Sequence, residues 1–397
     1  MKLFNLISSF FSVVLLFLAS DITLRFGVYG GLILCGAFFT ASLVLYLFKN
    51  QLFDKKDTAT KRLLIYVALF FYFLETVFLS CWVVLSVLPF INFEYSSIAS
   101  TLMVLFFFFF LSLSVLMKKT SELAINSFTF INLLIVFMMA IFLSNTIYLQ
   151  KGLETVYHNL LHYHPSMLHE SKEGMAGMYV MLTLLFFVRQ YVIYSLQALG
   201  NKKFVSHMFL VNFCVGSIML AFSTMVLVAV TERVESTHPN VLIVSMLQKL
   251  MNPYIFSVVW TIFILASLIS ILLTWVSIKK YIRPGTVVRP DLYVWILVAA
   301  SVCGFQVFHL ENAYLIDIIL FFSIWLIPPS IFLLTSSWHQ LSKIQLIASL
   351  PVLYVASGAM LYFHIPMLVQ LLSAAGGALL FSTLSLLVPA KSFGKVK

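Results

Sequence analysis

Charge is what this sequence has least of. Lysine, arginine, aspartate and glutamate make up 10% of its 397 residues, against 62% hydrophobic. A soluble domain carries about 25% charged residues, because its surface faces water. So little charge cannot cover a water-facing surface, which excludes a soluble globular protein and turns most of the surface toward lipid. Long polar stretches are missing too, leaving no room for a separate soluble domain. Cysteine is scarce: Cys35, Cys81, Cys214 and Cys303 stand far apart inside apolar runs. That placement reads as small buried hydrophobes and excludes a disulfide framework or a thiolate metal site. Catalytic signatures are absent, with no glycine-rich phosphate loop, no nucleophile elbow and no His-Glu-x-x-His. Neither an enzyme nor a resident cofactor is expected.

What the chain has is apolar length. A helix needs about 20 mostly apolar residues to cross roughly 30 Å of hydrocarbon. Runs of that kind fall at about 4–26, 28–48, 63–88, 97–117, 126–148, 175–199, 204–230, 253–281, 291–309, 313–335, 343–363 and 366–388. The expected fold is therefore an all-α, polytopic transmembrane bundle of about twelve helices. The run after Met1-Lys2 superficially resembles a leader peptide, but more apolar runs follow at once, so it reads as the first span. The Gly27–Gly31 region separates the first two runs and marks a short turn between them.

The net charge of +10 does not point to nucleic acid, since the basic residues lie in short loops between apolar runs. With the N-terminus inside, eighteen of the 24 fall in inner segments and five in outer ones, with Arg189 inside a span. That bias orients the chain by the positive-inside rule. Both termini are expected in the cytoplasm of a cell that holds this protein in its plasma membrane, with the lipid bilayer as first partner.

Two outer loops carry features. Within 149–174, His158 and His162 are four residues apart and would share a helix face, a weak candidate pair for a metal; an amphipathic helix at the outer interface, with histidine as polar filler, is the favoured explanation. In 231–252, the apolar stretch 241–248 reads as a short helix lying on the outer surface.

Ionisable groups inside spans are functional candidates by default, because they cost several kcal/mol unless paired or wetted. Glu75, Arg189 and Asp317 lie inside spans, and Asp21 near the outer end of the first. Arg189 cannot shed its charge, so it needs one of these acids or an anionic ligand. Ser267, Ser270 and Thr274 line one face of the eighth span and are candidate Na⁺ ligands, or simply bond the preceding turn. Pro328 and Pro329 are expected to perturb the tenth span.

Ten spans cut into two sets of five give halves of opposite orientation, an arrangement that permits an inverted repeat with two helices appended. The divisions would be 1–149, an outer loop at 150–174, a second repeat at 175–336, and 337–397 with two more helices and a basic tail. Three stretches resemble a known family: Phe17-Leu18-Ala19-Ser20-Asp21-Ile22-Thr23-Leu24-Arg25-Phe26-Gly27, the segment Met181 to Gly200, and the segment Phe263 to Tyr281. They are similar to the first, sixth and eighth helices of LeuT-fold permeases of the amino acid–polyamine–cation superfamily, most like the bacterial YkvI-like membrane permeases. The resemblance covers about residues 5–335. It implies a LeuT-like 5+5 inverted repeat and a mid-membrane site between broken first and sixth helices.

On that resemblance the expected function is a secondary, transporter-like permease for a small carboxylate-bearing solute such as an amino acid, coupled to Na⁺ or H⁺. Ser20, Asp21, Arg189 and Gln190 would bind the solute, and Glu75 and Asp317 would balance charge or relay protons. The chain departs from the family where Val13-Val14-Leu15-Leu16 replace glycines ahead of the Phe-Ala-Ser element. That departure favours an alternative, a non-transporting sensor, germination-type receptor or scaffold subunit with a membrane protein partner.

Overall fold

The computed structural model describes residues 14–52, 59–87, 152–163, 168, 174–198, 208–231, 242–250, 252, 253, 256, 258, 259, 315–336, 343–362 and 366–387. All regular structure among them is helical: α1 Val14–Phe26, α2 Val28–Leu47, α3 Lys49–Leu52, α4 Ala59–Val87, α5 Leu153–Tyr163, α6 Met175–Ala198, α7 Met208–Thr231, α8 Leu242–Leu250, α9 Leu315–Thr335, α10 Lys343–Tyr362 and α11 Met367–Leu387. Five stretches are long and apolar enough to cross a membrane: Val28–Leu47, Leu63–Ser80, Met175–Ser195, Leu210–Thr231 and Leu315–Thr335. The protein is a membrane-embedded helical protein. Its outer side chains fit that setting, with Leu43, Phe213 and Val355 each more than half exposed.

Helices α2, α4, α6, α7, α9, α10 and α11 coincide with seven of the expected spans, and α1 with the second half of the first. The expected spans at 97–117, 126–148 and 291–309, and all but four residues of 253–281, lie outside the described residues. The two loops expected on the outer side hold the short helices expected of them. Helix α5 buries Val156 and Leu160, one turn apart, and exposes His158 and His162. Helix α8 buries Leu242, Val244, Met246 and Leu247.

Inside these helices the hydroxyls bond carbonyls of their own preceding turn, as Thr183 does to Tyr179 (2.7 Å), Ser223 to Met219 (3.0 Å) and Ser323 to Ile319 (2.7 Å). With no water in the hydrocarbon, every polar group must find such a partner within the protein.

The chain forms two compact units. The first comprises Met1–Gly36, Phe73–Ala176 and Leu210–Ile316; the second comprises Ala37–Tyr72, Gly177–Phe209 and Asp317–Lys397. In the first unit α8 packs on α1, and Phe17 meets the edge of Trp82 at 5.5 Å between ring centres. Between α1 and α2 stands one residue, Gly27, at φ 64°. That left-handed conformation costs a residue with a β-carbon about 1–2 kcal/mol. Gly30 donates its amide to the Gly27 carbonyl at 2.9 Å. A β-carbon on Gly30 would lie 2.6 Å from the Ile22 carbonyl oxygen and 2.7 Å from the Thr23 Cα. In a straight helix eight residues separate their Cα atoms by about 12 Å, so the chain folds back sharply at Gly27. Gly31, next along, faces Ser223 of α7, where a β-carbon would come within 2.7 Å.

In the second unit α10 and α11 pack on each other. Gly377 lets them approach, since a β-carbon there would lie 2.7 Å from Leu353 Cδ2. The two glycines differ in what they meet. Gly30→Ala drives a methyl into backbone and is expected to cost about 2–3 kcal/mol, whereas Gly377→Ala meets the mobile end of a leucine and costs under about 1 kcal/mol. Thermal unfolding of the two variants in detergent checks this order; equal losses would contradict the fold at Gly27.

Candidate functional site

The end of α1 gathers polar groups. Ser20, Asp21 and Thr23 are fully buried. Asp21 Oδ1 accepts from Arg25 Nε at 2.9 Å, one helical turn on, and Oδ2 accepts from the Ile316 amide at 3.2 Å. Ile316 is the second residue of α9, and the first four amides of a helix have no partner of their own. A carboxylate there satisfies one of them and lies at the positive end of the helix dipole. Arg25 keeps 30% of its side chain exposed, so part of its charge is solvated. Glu75, also in this unit, is buried on α4 at 2% exposure.

The second unit contains another buried polar group, where α6 meets α2. Gln190 is fully buried. Its Oε1 lies 2.8 Å from Ser42 Oγ, and its Nε2 donates to the Phe38 carbonyl at 3.3 Å. Ser42 Oγ lies 2.8 Å from that same carbonyl. The serine has one hydroxyl proton, so it serves one of these two acceptors at a time, and the carboxamide N–H answers the Phe38 carbonyl. Nearby, Thr40 Oγ1 and Tyr179 Oη form a hydrogen bond of 2.6 Å in which either hydroxyl can donate. The Phe38 and Phe186 rings meet edge to face at 5.3 Å.

Arg189 comes directly before Gln190 and is half-buried in the middle of α6. The Tyr72 phenol of α4 lies within electrostatic reach of its guanidinium. One position along, Gln190 ties α6 to α2 through Ser42 and Phe38. A permanently charged planar fork suits a carboxylate, which it can meet with two parallel hydrogen bonds. Asp317 is half-buried in the first turn of α9.

Several expectations meet these facts. Of the acids considered as counter-charges for Arg189, Asp21 has its two oxygens on Arg25 and on the Ile316 amide. Helix α6 runs unbroken from Met175 to Ala198 through Arg189 and Gln190, and α1 is unbroken from Val14 to Phe26, with its interruption at Gly27. The broken first and sixth helices that the resemblance implies are absent over those residues. Ser267, Ser270 and Thr274 lie outside the described residues. His158 is 3.8 Å from Glu154 at the surface of α5, and no group of three metal-ligating side chains comes together among the described residues. Thr40, Ser42, Tyr72 and Tyr179 were not anticipated. Their only signal in the sequence is a hydroxyl inside an apolar run. No protein-family model matches this chain, and no curated protein matches it.

Removing the Asp21 carboxylate leaves both Arg25 and a helix-end amide without it. Asp21→Ala is expected to cost about 2–4 kcal/mol, toward the lower end because Arg25 is partly solvated, and Asp21→Asn, which keeps one acceptor oxygen, about half as much. Thermal unfolding of both variants tests the order. A fully stable Asp21→Ala would show that neither bond matters to the fold.

Proposed function

We propose that this protein is a secondary, transporter-like permease for a small carboxylate-bearing solute such as an amino acid. In this reading about twelve spans cross the cytoplasmic membrane with both termini inside, and Na⁺ or H⁺ drives the solute. The observation that carries the proposal is Arg189, an obligate cation in the middle of an apolar 24-residue helix, next to Gln190, which ties that helix to Ser42 and Phe38 of α2. Ionisable residues at such depth mark ligand and ion pathways. A guanidinium recognises carboxylates by geometry as well as charge. In the proposed mechanism Arg189 holds the solute carboxylate and Tyr72 borders the same charge. Glu75 and Asp317 supply the negative charge or proton relay that coupling needs. Ser20 and Asp21 belong to the solute path near the outer end of α1. The loose likeness of residues 5–335 to LeuT-fold permeases agrees with this assignment.

A second reading has an observation of its own. Secondary transporters of this class build their sites from discontinuous helices, whereas α1 and α6 are continuous over the described residues. Continuous helices favour a ligand-binding sensor or receptor subunit that does not transport and works with a membrane protein partner.

The test is thermal stability of the detergent-purified protein against a panel of amino acids and small carboxylates, with Na⁺ or K⁺. A ligand at about 100 times its Kd stabilises by roughly 2.7 kcal/mol. The expected result is a shift by at least one carboxylate-bearing compound that disappears in Arg189→Ala and is weakened in Arg189→Lys, while both variants stay folded. A shift that survives Arg189→Ala would remove the assignment.

A further inference from the structure

Helix α9 contains two adjacent prolines, Pro328 and Pro329, and the helix continues through them. A helical carbonyl at position i accepts from the amide at i+4, or from i+3 where the turn tightens to 3₁₀. For Trp325 both donors are proline nitrogens, which carry no hydrogen. Its neighbours escape: Ile324 retains the Ile327 amide at i+3, and Leu326 retains the Ser330 amide at i+4 and also accepts the Ser330 hydroxyl at 2.8 Å. The Trp325 carbonyl is thus the one in this turn that neither helical pattern can satisfy. Inside a membrane such a carbonyl needs a donor from a neighbouring helix.

That donor comes from α10. Tyr354 Oη donates to the Trp325 carbonyl at 3.3 Å. This is long for an O–H···O bond, whose usual range is about 2.5–3.0 Å, and so it is weak and readily exchanged. Two rings from two other helices pack against the phenol and against each other. Trp325 and Tyr354 lie 5.4 Å apart, Phe71 of α4 and Tyr354 5.2 Å, and Phe71 and Trp325 6.2 Å. One turn beyond Tyr354, Gly358 lies beside the indole, where a β-carbon would make ordinary van der Waals contact with Trp325 Cη2 at 4.0 Å.

We infer that α10 clamps a proline hinge in α9, with the Tyr354 hydroxyl as its releasable catch. While the hydroxyl sits on the Trp325 carbonyl, α9 keeps its present shape; when it leaves, α9 bends over residues 325–329. This gives the helices after residue 337 a role in controlling the shape of α9, and it does not depend on the carboxylate reading of Arg189.

The experiment is a double-substitution cycle on the full-length detergent-purified chain, read by amide hydrogen exchange over Ser330–Thr335. Tyr354→Phe keeps the ring contacts and removes only the donor. Pro329→Ala returns an amide to the Trp325 carbonyl and makes the donor redundant. Tyr354→Phe is expected to speed exchange in this segment on the order of tenfold, and to have no effect once Pro329→Ala is present. An unchanged rate in Tyr354→Phe, or an equal acceleration in both backgrounds, overturns the clamp. Exchange across α6 is followed in parallel. Acceleration there as well would mark a general loss of fold and would equally count against a local catch.

Discussion

A polar group at membrane depth has to be satisfied by the protein itself, and the described helices are arranged around the few groups that cannot manage alone. In hydrocarbon an unsatisfied amide or carbonyl costs several kcal/mol, more than most single apolar contacts return. Three such groups organise this protein. Asp21 holds Arg25 and the first turn of α9. Gln190 sits between α6 and α2 with its carboxamide on Ser42 and Phe38. Tyr354 meets the carbonyl that Pro328 and Pro329 leave bare. Each ties together segments far apart in the chain, and each works by chemistry that lipid cannot supply.

These ties require helices close enough for short side chains to reach, and lipid gives helices no hydrophobic reason to associate. Small residues make the approach. Gly30 lies against the Ile22 and Thr23 backbone, Gly31 against Ser223 and Gly377 against Leu353. Where the partners are short and charged, as at Asp21, the contact is strong. Where the bond is long and neutral, as at Tyr354, it can be exchanged at little cost. A permease or a sensor needs both kinds, rigid joints to hold a site and loose ones to let it change.

Hydropathy alone located the described helices well, because a span must be apolar along its whole length. The runs 28–48 and 366–388 became Val28–Leu47 and Met367–Leu387. The start of α4 was misplaced for the same reason. Its first turn carries Lys61, lies outside the apolar run, and is helical from Ala59 onward. The fold-back at Gly27 was readable in part, since glycines cluster there. Partners were much less legible. The Arg25–Asp21 pair follows from i, i+4 spacing once the helix is known to reach Phe26, but the Ile316 amide is 295 residues away and has no side-chain identity to read. Ser42 looked like any hydroxyl that bonds its own helix, and it does so while also reaching Gln190. The two prolines were expected to perturb α9, and the helix continues through both. The donor to the Trp325 carbonyl is a tyrosine 29 positions further on, which no local pattern announces.

The central claim is that a carboxylate-bearing solute bound at Arg189 crosses the membrane, and solute uptake tests it most directly. Purified protein is reconstituted into liposomes with an imposed Na⁺ or H⁺ gradient, and entry of a labelled carboxylate ligand is followed over time. Gradient-dependent accumulation, absent from liposomes carrying Arg189→Ala, is the predicted result. Ligand that binds the reconstituted protein but never accumulates, whatever the gradient, would contradict transport and leave the sensor reading in its place.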